Sequence, residues 1–203
     1  MMKTHVSEVM TMKFLEDRIK EDGRVYPGNI LKVDSFLNHQ IDVGLMDQIG
    51  EAFYNEYKDR GITRVMTIEA SGIAIACAVA RFFHVPMVFA KKTPSLNLGN
   101  DLYMTTVTSY TKKTDYNVMI SKRYLTSEDH ILIVDDFLAT GCALHGLIDL
   151  CNQAGATVEG IGICIEKAFQ GGGQQLRDLG YSVTSLAIIE SMSDEGGIVF
   201  RSE

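Results

Sequence analysis

Two adjacent carboxylates, Asp135 and Asp136, follow four apolar residues, Ile131 to Val134, in the stretch ILIVDDFLATGCAL. The apolar run reads as a buried strand, and the acids fall where that strand is expected to end. Ala139, Thr140, Gly141 and Cys142 come next, all small, and a helical pattern opens at Ala143. This order of elements suits a phosphorylated sugar. Free N–H groups of the turn and the helix N-terminus can hold a phosphate, and two carboxylates can grip vicinal hydroxyls. Such a site belongs at the carboxyl end of a parallel strand, where open α/β sheets place their ligands. Taken by itself, a pair of aspartates more often caps a helix or lies in a solvated turn. The apolar strand before it and the small residues after it argue for the site.

The elements around this stretch alternate. Met12–Glu21 places Phe14, Leu15 and Ile19 at helical spacing, and Leu45, Met46, Ile49, Phe53 and Tyr57 mark a second helix face. Arg64–Ile68 reads as a strand, Glu69-Ala70-Ser71-Gly72 as a tight turn, Ile73–Phe83 as an apolar helix and Val85–Ala90 as another strand. The pattern resumes with a helix at Ala143–Ala154 ended by Gly155 and a strand at Val158–Ile165. Gly171–Gly173 follows as a flexible turn, then a short helix at Gln174–Leu179, a strand at Tyr181–Ile189 and a polar tail at Met192–Glu203. Such β-α-β alternation indicates an α/β fold with an open parallel sheet flanked by helices. Lys91–Lys113 interrupts it as a long loop closing into a β-hairpin.

At 203 residues, 46% hydrophobic and 22% charged, the chain has the size and balance of one globular domain. No apolar run approaches the roughly 20 residues that cross a membrane, and the N-terminus lacks the apolar core of a secretory signal. The four cysteines, Cys77, Cys142, Cys151 and Cys164, have no metal-ligand spacing and lie among apolar or small neighbours, which implies buried free thiols in a reducing cytoplasm. A formal net charge of −7 argues against nucleic acid as the main partner, because phosphate backbones need a basic footprint.

The stretch at Ile131–Leu144 resembles the phosphoribosyl-pyrophosphate signature of the type I phosphoribosyltransferases. LKVDSFLNHQID (31–42), TIEASGIA (67–74), VPMVFAKK (85–92) and GIGICIEKAFQ (160–170) are similar to the bacterial xanthine branch of that family. The resemblance implies the type I phosphoribosyltransferase fold over residues 12–203, with residues 1–11, which do not match the family's start, expected to be a disordered extension or a misassigned start. It includes a small hood from residues 22–42 and 190–203, and a flexible lid over residues 91–113. It implies a purine-salvage transferase joining N9 of xanthine to the ribose of phosphoribosyl pyrophosphate, with Mg²⁺ carried by that substrate near Asp135 and Asp136 and no metal held directly by the chain. It also implies a homodimer.

Residue by residue, the resemblance makes Asp135 and Asp136 the catalytic pair that holds the ribose hydroxyls. Ala139, Thr140, Gly141, Cys142 and Ala143 cradle the 5′-phosphate. Ala70, Ser71 and Gly72 meet the pyrophosphate, with Lys91 and Lys92 reaching it from the lid. Leu31, Asn38 and Lys167 contact xanthine. Cys142 and Ala143 depart from the family, which often has Gly and Thr there, so one hydroxyl contact is missing and backbone N–H groups carry more of the phosphate. By their own pattern these residues have blander readings: Leu31–Asp42 as a surface loop, Ala70–Gly72 as an ordinary βα connection, the 91–113 segment as an exposed hairpin, Lys167 as a surface lysine. Two alternatives stand beside xanthine transfer: the same reaction on guanine, hypoxanthine or adenine, and a non-catalytic sensor of phosphoribosyl pyrophosphate.

Overall fold

The computed structural model describes residues 4–92, 101–109, 114–193 and 197–202. Residues 93–100 and 110–113, most of the expected lid, lie outside the described residues, as do residues 1–3.

Helix α1 spans Thr4–Asp22 and buries Leu15 and Ile19. Residues 4–11, expected as a disordered extension, continue this helix; THVSEVMT contains neither Gly nor Pro to stop it. Strands β1 (Arg24–Tyr26) and β2 (Ile30–Lys32) form a small antiparallel hairpin. Gly28 and Asn29 make its turn, both at positive φ. The chain then takes one turn of π-helix at Asp34–Asn38, burying Phe36 and Leu37, before helix α2 (Val43–Tyr57) starts on an Asp42 cap. The segment 31–42 is therefore not a surface loop. Its interspersed polar residues mask three fully buried side chains, Val33, Phe36 and Leu37.

Strand β3 (Arg64–Ile68), helix α3 (Gly72–Phe83) and strand β4 (Met87–Ala90) form the first β-α-β unit. Strands β5 (Leu102–Ser109) and β6 (Thr114–Ser121) pair as a separate antiparallel hairpin. Strand β7 (His130–Leu138), helix α4 (Cys142–Ala154), strand β8 (Thr157–Lys167), helix α5 (Gly172–Asp178), strand β9 (Val183–Ser193) and strand β10 (Gly197–Phe200) complete the chain. The main sheet has the order β10-β9-β8-β7-β3-β4, parallel except for β10. The expected polar tail is thus an antiparallel edge strand. Its short apolar run, Gly197–Phe200, pairs back on β9 with Ile198 opposite Met192.

Helices cover both faces. One core joins Leu15, Phe36, Ile49, Phe53 and Ile75 to the sheet; the other joins Leu144, Leu147 and Leu150 to Val107 and Val118 of the hairpin. Helix α2 approaches β8 closely because Gly160 and Gly162 lack side chains. A Cβ at Gly160 would stand 2.2 Å from the Tyr57 ring, and one at Gly162 2.8 Å from the Phe53 ring. The Tyr57 hydroxyl, fully buried, donates at 3.0 Å to the Ile161 carbonyl.

From β3 the chain moves outward to β4, and from β7 it moves the other way to β8. The switch point of the sheet therefore lies between β3 and β7, the position at which open α/β sheets bind ligands. There β3 pairs with β7 only from Arg64 to Met66, whereas β8 follows β7 to Leu138, so a crevice opens between the strand ends.

Candidate active site

Asp135 and Asp136 do not follow β7 but lie within it, since the strand runs on to Leu138. Their charge does not end the strand, because the carboxylates satisfy local backbone. Asp135 Oδ1 accepts from the Asp136 N–H at 3.0 Å, and Asp136 Oδ1 from the Phe137 N–H at 3.0 Å. Both residues are buried, at 5% and 7% exposure. Burial pushes the Asp135 carboxyl well above the usual carboxylate range, and the neighbouring Asp136 charge adds to it. The Asp136 N–H and the Lys92 ammonium act in the opposite direction. A positive charge brought beside this acid pair favours the ionised form of Asp135 and gains a large electrostatic stabilisation from both groups.

Asp136 Oδ2 accepts a hydrogen bond from Asn38 Nδ2 at 2.9 Å. The hood residue and the paired acids are thereby one constellation, joined across 98 positions of sequence.

The turn after β7 carries Ala139 and Thr140, and Gly141 caps α4 at φ +85°. Helix α4 begins at Cys142, one residue earlier than its periodicity implies. Thr140 Oγ1 and Cys142 Sγ are 3.3 Å apart, so the hydroxyl and thiol of this turn face each other. Ala143 follows in the first turn of the helix.

The turn after β3 is equivalent. The Glu69–Ala70 peptide is cis, Ser71 precedes α3 without a side-chain cap, and Gly72 opens the helix. Gly72 has no room for a side chain: a Cβ would stand 1.9 Å from Thr67 Oγ1 and 2.9 Å from Asp135 Oδ1. Glu69, which sequence reasoning passes over, accepts from the Lys92 N–H at 2.6 Å and ties the end of β4 to this turn. Lys92 also stacks its ammonium 5.6 Å from the Tyr116 ring centroid. Lys91 is placed differently: its backbone pairs with Met119 of β6, and its ammonium lies over Phe89.

Lys167 ends β8. Its Nζ donates to the Asn29 carbonyl at 3.0 Å and lies 5.4 Å from the Phe137 ring centroid, so it links hood, β7 and β8. Burial lowers its pKa. Phe137 is not singled out by sequence reasoning, although an aromatic directly after paired acids is a usable signal. Leu31 is 6% exposed and contributes to the hood core, so it offers a planar ligand only an edge of its side chain.

The chain beyond Lys167 corrects one expectation. Gly171–Gly173 is not a flexible turn: Gly172 and Gly173 are buried and begin α5. Gly172 N–H donates to the Ala139 carbonyl at 3.1 Å, which seats α5 against the turn after β7. The structure thus gathers Asp135, Asp136, Asn38, Lys167, Lys92 and the turns at 70–72 and 139–143 around the ends of β3, β7 and β8. Two small-residue turns that lead into helices, flanking two buried carboxylates, can hold a ligand bearing phosphates at both ends and hydroxyls between them.

Comparison with known proteins agrees with this geometry. Residues 37–193 match the phosphoribosyl transferase domain. The xanthine phosphoribosyltransferase of Bifidobacterium adolescentis is 61% identical over 193 residues, covering 94% of this chain and 100% of that protein. The xanthine phosphoribosyltransferase of Lachnoclostridium phytofermentans is 53% identical, covering 95% and 100%. Among solved structures, the adenine phosphoribosyltransferase of Giardia lamblia complexed with 9-deazaadenine superposes with a TM-score of 0.73. It is 25% identical and covers 87% of this chain and 98% of that one. The adenine phosphoribosyltransferase of Trypanosoma brucei gives a TM-score of 0.75 at 17% identity, covering 90% and 83%, and so bears on the fold. With its domain matched along most of its length and its strand-end turns in the arrangement described, this chain belongs to the phosphoribosyltransferase family.

Proposed function

We propose that this chain transfers the phosphoribosyl group of phosphoribosyl pyrophosphate to N9 of xanthine, giving xanthosine 5′-monophosphate and pyrophosphate in purine salvage. The observation that carries this reading is the convergence of both phosphate-type turns, the buried acid pair and Lys167 at one switch point. The identity with xanthine phosphoribosyltransferases over nearly the whole chain supports the base.

In this reading Ala139 to Ala143 hold the 5′-phosphate, chiefly by backbone N–H groups. Ala70, Ser71 and Gly72 hold the pyrophosphate, with Lys92 at hand and Lys91 at the root of the lid. Asp135 and Asp136 hold the ribose hydroxyls. As the bond from C1 to the pyrophosphate oxygen breaks, positive character builds on the sugar, and the two carboxylates offset it. N9 then attacks C1. The chain supplies position and electrostatics and no covalent nucleophile.

Asp135 and Asp136 are hard oxygen donors in a buried place, a donor set that fits Mg²⁺ arriving with the substrate phosphates. When bound, that ion neutralises charge on the leaving pyrophosphate.

The base lies against the hood segments, residues 22–42 and 190–203, with residues 91–113 as the lid. Asn38 can meet the base edge with its carbonyl oxygen, one of its two Nδ2–H bonds being donated to Asp136. Lys167, held by the Asn29 carbonyl, favours an oxo group over the exocyclic amine of adenine. Lys167→Ala is expected to raise KM for xanthine by about tenfold, the worth of one charged hydrogen bond, and to change KM for phosphoribosyl pyrophosphate far less. Equal losses for both substrates in steady-state kinetics would remove Lys167 from the base site. The same proposal includes a cytoplasmic homodimer, whose dimeric state sedimentation of the purified chain checks.

The direct test supplies phosphoribosyl pyrophosphate, Mg²⁺ and one base at a time: xanthine, guanine, hypoxanthine or adenine. Chromatography of the nucleotides should find xanthosine monophosphate dominant. Another dominant nucleotide would keep the reaction and overturn the base. Binding of phosphoribosyl pyrophosphate without any product would instead make the chain a sensor.

A further inference from the structure

Glu166 is the one residue between the buried core of β8 and Lys167, and it is itself 1% exposed. Its carboxylate is fully engaged. Arg177 of α5 approaches in fork geometry, Nη1 to Oε1 at 2.9 Å and Nη2 to Oε2 at 2.7 Å, and Ser185 Oγ of β9 donates to Oε2 at 2.5 Å. Burial raises the Glu166 pKa, but the Arg177 and Ser185 hydrogen bonds outweigh it and bring the group below its ordinary value. The carboxylate is therefore ionised and held from two elements.

A buried ion pair of this kind is a poor source of stability compared with apolar residues of the same volume, because both ions lose their water. A bidentate pair does fix orientation. Here the orientation fixed is that of α5. Gly173 is pressed so closely on the pair that a Cβ would stand 2.0 Å from Glu166 Oε1 and 2.8 Å from Arg177 Nη1. The neighbouring Gly172 then reaches the turn after β7. Its N–H meets the Ala139 carbonyl at 3.1 Å, and a Cβ on it would stand 2.4 Å from that oxygen and 2.6 Å from the Thr140 carbonyl carbon. An unbroken path of contacts thus runs from Glu166 through Arg177, Gly173 and Gly172 to Ala139 and Thr140. Lys167 starts from the same residue by one peptide bond.

We propose that Glu166 and Arg177 are positioning residues. They set the seat of the 139–143 turn and the root of Lys167 together, so that the 5′-phosphate and base halves of the site share one anchor. The proposal rests on the assignment of those two halves made above. The turn at 70–72, on α3, has no part in this path.

That asymmetry supplies the test. Binding of xanthosine monophosphate, ribose 5-phosphate and inorganic pyrophosphate is measured by calorimetry on the full chain carrying Arg177→Met, Arg177→Lys or Glu166→Gln, with thermal melts beside it. Arg177→Met should weaken xanthosine monophosphate and ribose 5-phosphate by about tenfold, since small displacements of a binding turn have effects of this order or larger. Pyrophosphate should stay within about twofold, as for an independent site. Arg177→Lys, which keeps the charge but not the fork, should recover part of the loss. Glu166→Gln preserves the volume and serves if Arg177→Met does not fold.

Equal weakening of all three ligands would overturn the proposal, as would a lowered melting temperature with unchanged binding of xanthosine monophosphate. If the unaltered chain binds neither ribose 5-phosphate nor pyrophosphate, the site assignment itself fails, which is a separate result.

Discussion

Asp136→Asn is expected to lower turnover by roughly 10²-fold while the fold persists, the scale on which one preorganised electrostatic group acts. The carboxylate has two duties in the structure. It lies buried beside Asp135, where its charge can offset a cationic sugar, and it accepts hydrogen bonds from Phe137 N–H and from Asn38 Nδ2. Asparagine removes the charge and turns one of the two acceptors into a donor. That donor must then face either the Phe137 N–H or the Asn38 amide. The Phe137 N–H cannot turn, so Asn38 does, and it presents nitrogen instead of oxygen to the base.

Turnover should therefore fall together with a rise in KM for xanthine, with a smaller rise for phosphoribosyl pyrophosphate. The misplaced donor costs about 1–3 kcal/mol, the usual penalty for one unsatisfied buried group. Adding Asn38→Asp separates the two duties: the interchanged pair can restore the link and the KM for xanthine, but turnover stays low because the charge has moved away from the sugar. Steady-state kinetics and a thermal melt on both variants check this. Unchanged turnover in Asp136→Asn would remove the acid from catalysis.

What can be foreseen from sequence and what cannot divide along the range of the interaction. The turns at 70–72 and 139–143 are legible because a strand-to-helix turn made of small residues is a local requirement, written in consecutive positions. Their helices begin within a residue of the expected place, at Gly72 and Cys142. The parallel sheet is legible from alternation, since each β-α-β unit repeats the same apolar pattern. Pattern alone cuts strand β7 short at Val134, because an aspartate in a strand interior is unfavourable until a specific partner satisfies it. The partners are backbone N–H groups one residue on and an amide 98 positions away.

The Glu166 anchor is hidden for the same reason. Arg177 and Ser185 lie 11 and 19 positions later and meet Glu166 only after α5 and β9 have folded back. Gly172 and Gly173 look like flexibility in the sequence and are instead close packing, a distinction that depends on what stands opposite a missing Cβ. Strand β10 reads as tail because four residues between polar flanks carry little period; its pairing with β9 decides the matter.

Gly72→Ala carries the other large effect, and it follows from the same kind of contact. A methyl group there would meet Thr67 Oγ1 at 1.9 Å, Thr67 Cβ at 3.2 Å and Asp135 Oδ1 at 2.9 Å. Thr67 is fully buried on β3 and cannot swing into solvent, and Asp135 is held by the Asp136 N–H. The start of α3 must therefore move away from the sheet, carrying Ala70 and Ser71 with it. Overpacking of this order destabilises a domain by about 1–3 kcal/mol, or about 2–12 °C in melting temperature for a chain of this length.

The larger effect is on the site. Displacing a turn by about 1 Å can lower a rate 10²-fold, so kcat/KM for phosphoribosyl pyrophosphate should fall by that order, and pyrophosphate binding should weaken with it. Gly50→Ala makes the matched control. Its Cβ would press on the Phe82 ring at 2.7 Å, which can give way, and stand 3.0 Å from the Ala78 carbonyl oxygen, six residues along α3 from Gly72. That variant should keep kcat/KM within about twofold, as expected of a site that shares no partner with the turn. If Gly72→Ala melts lower but keeps the kcat/KM of the unaltered chain, the 70–72 turn does not hold the pyrophosphate.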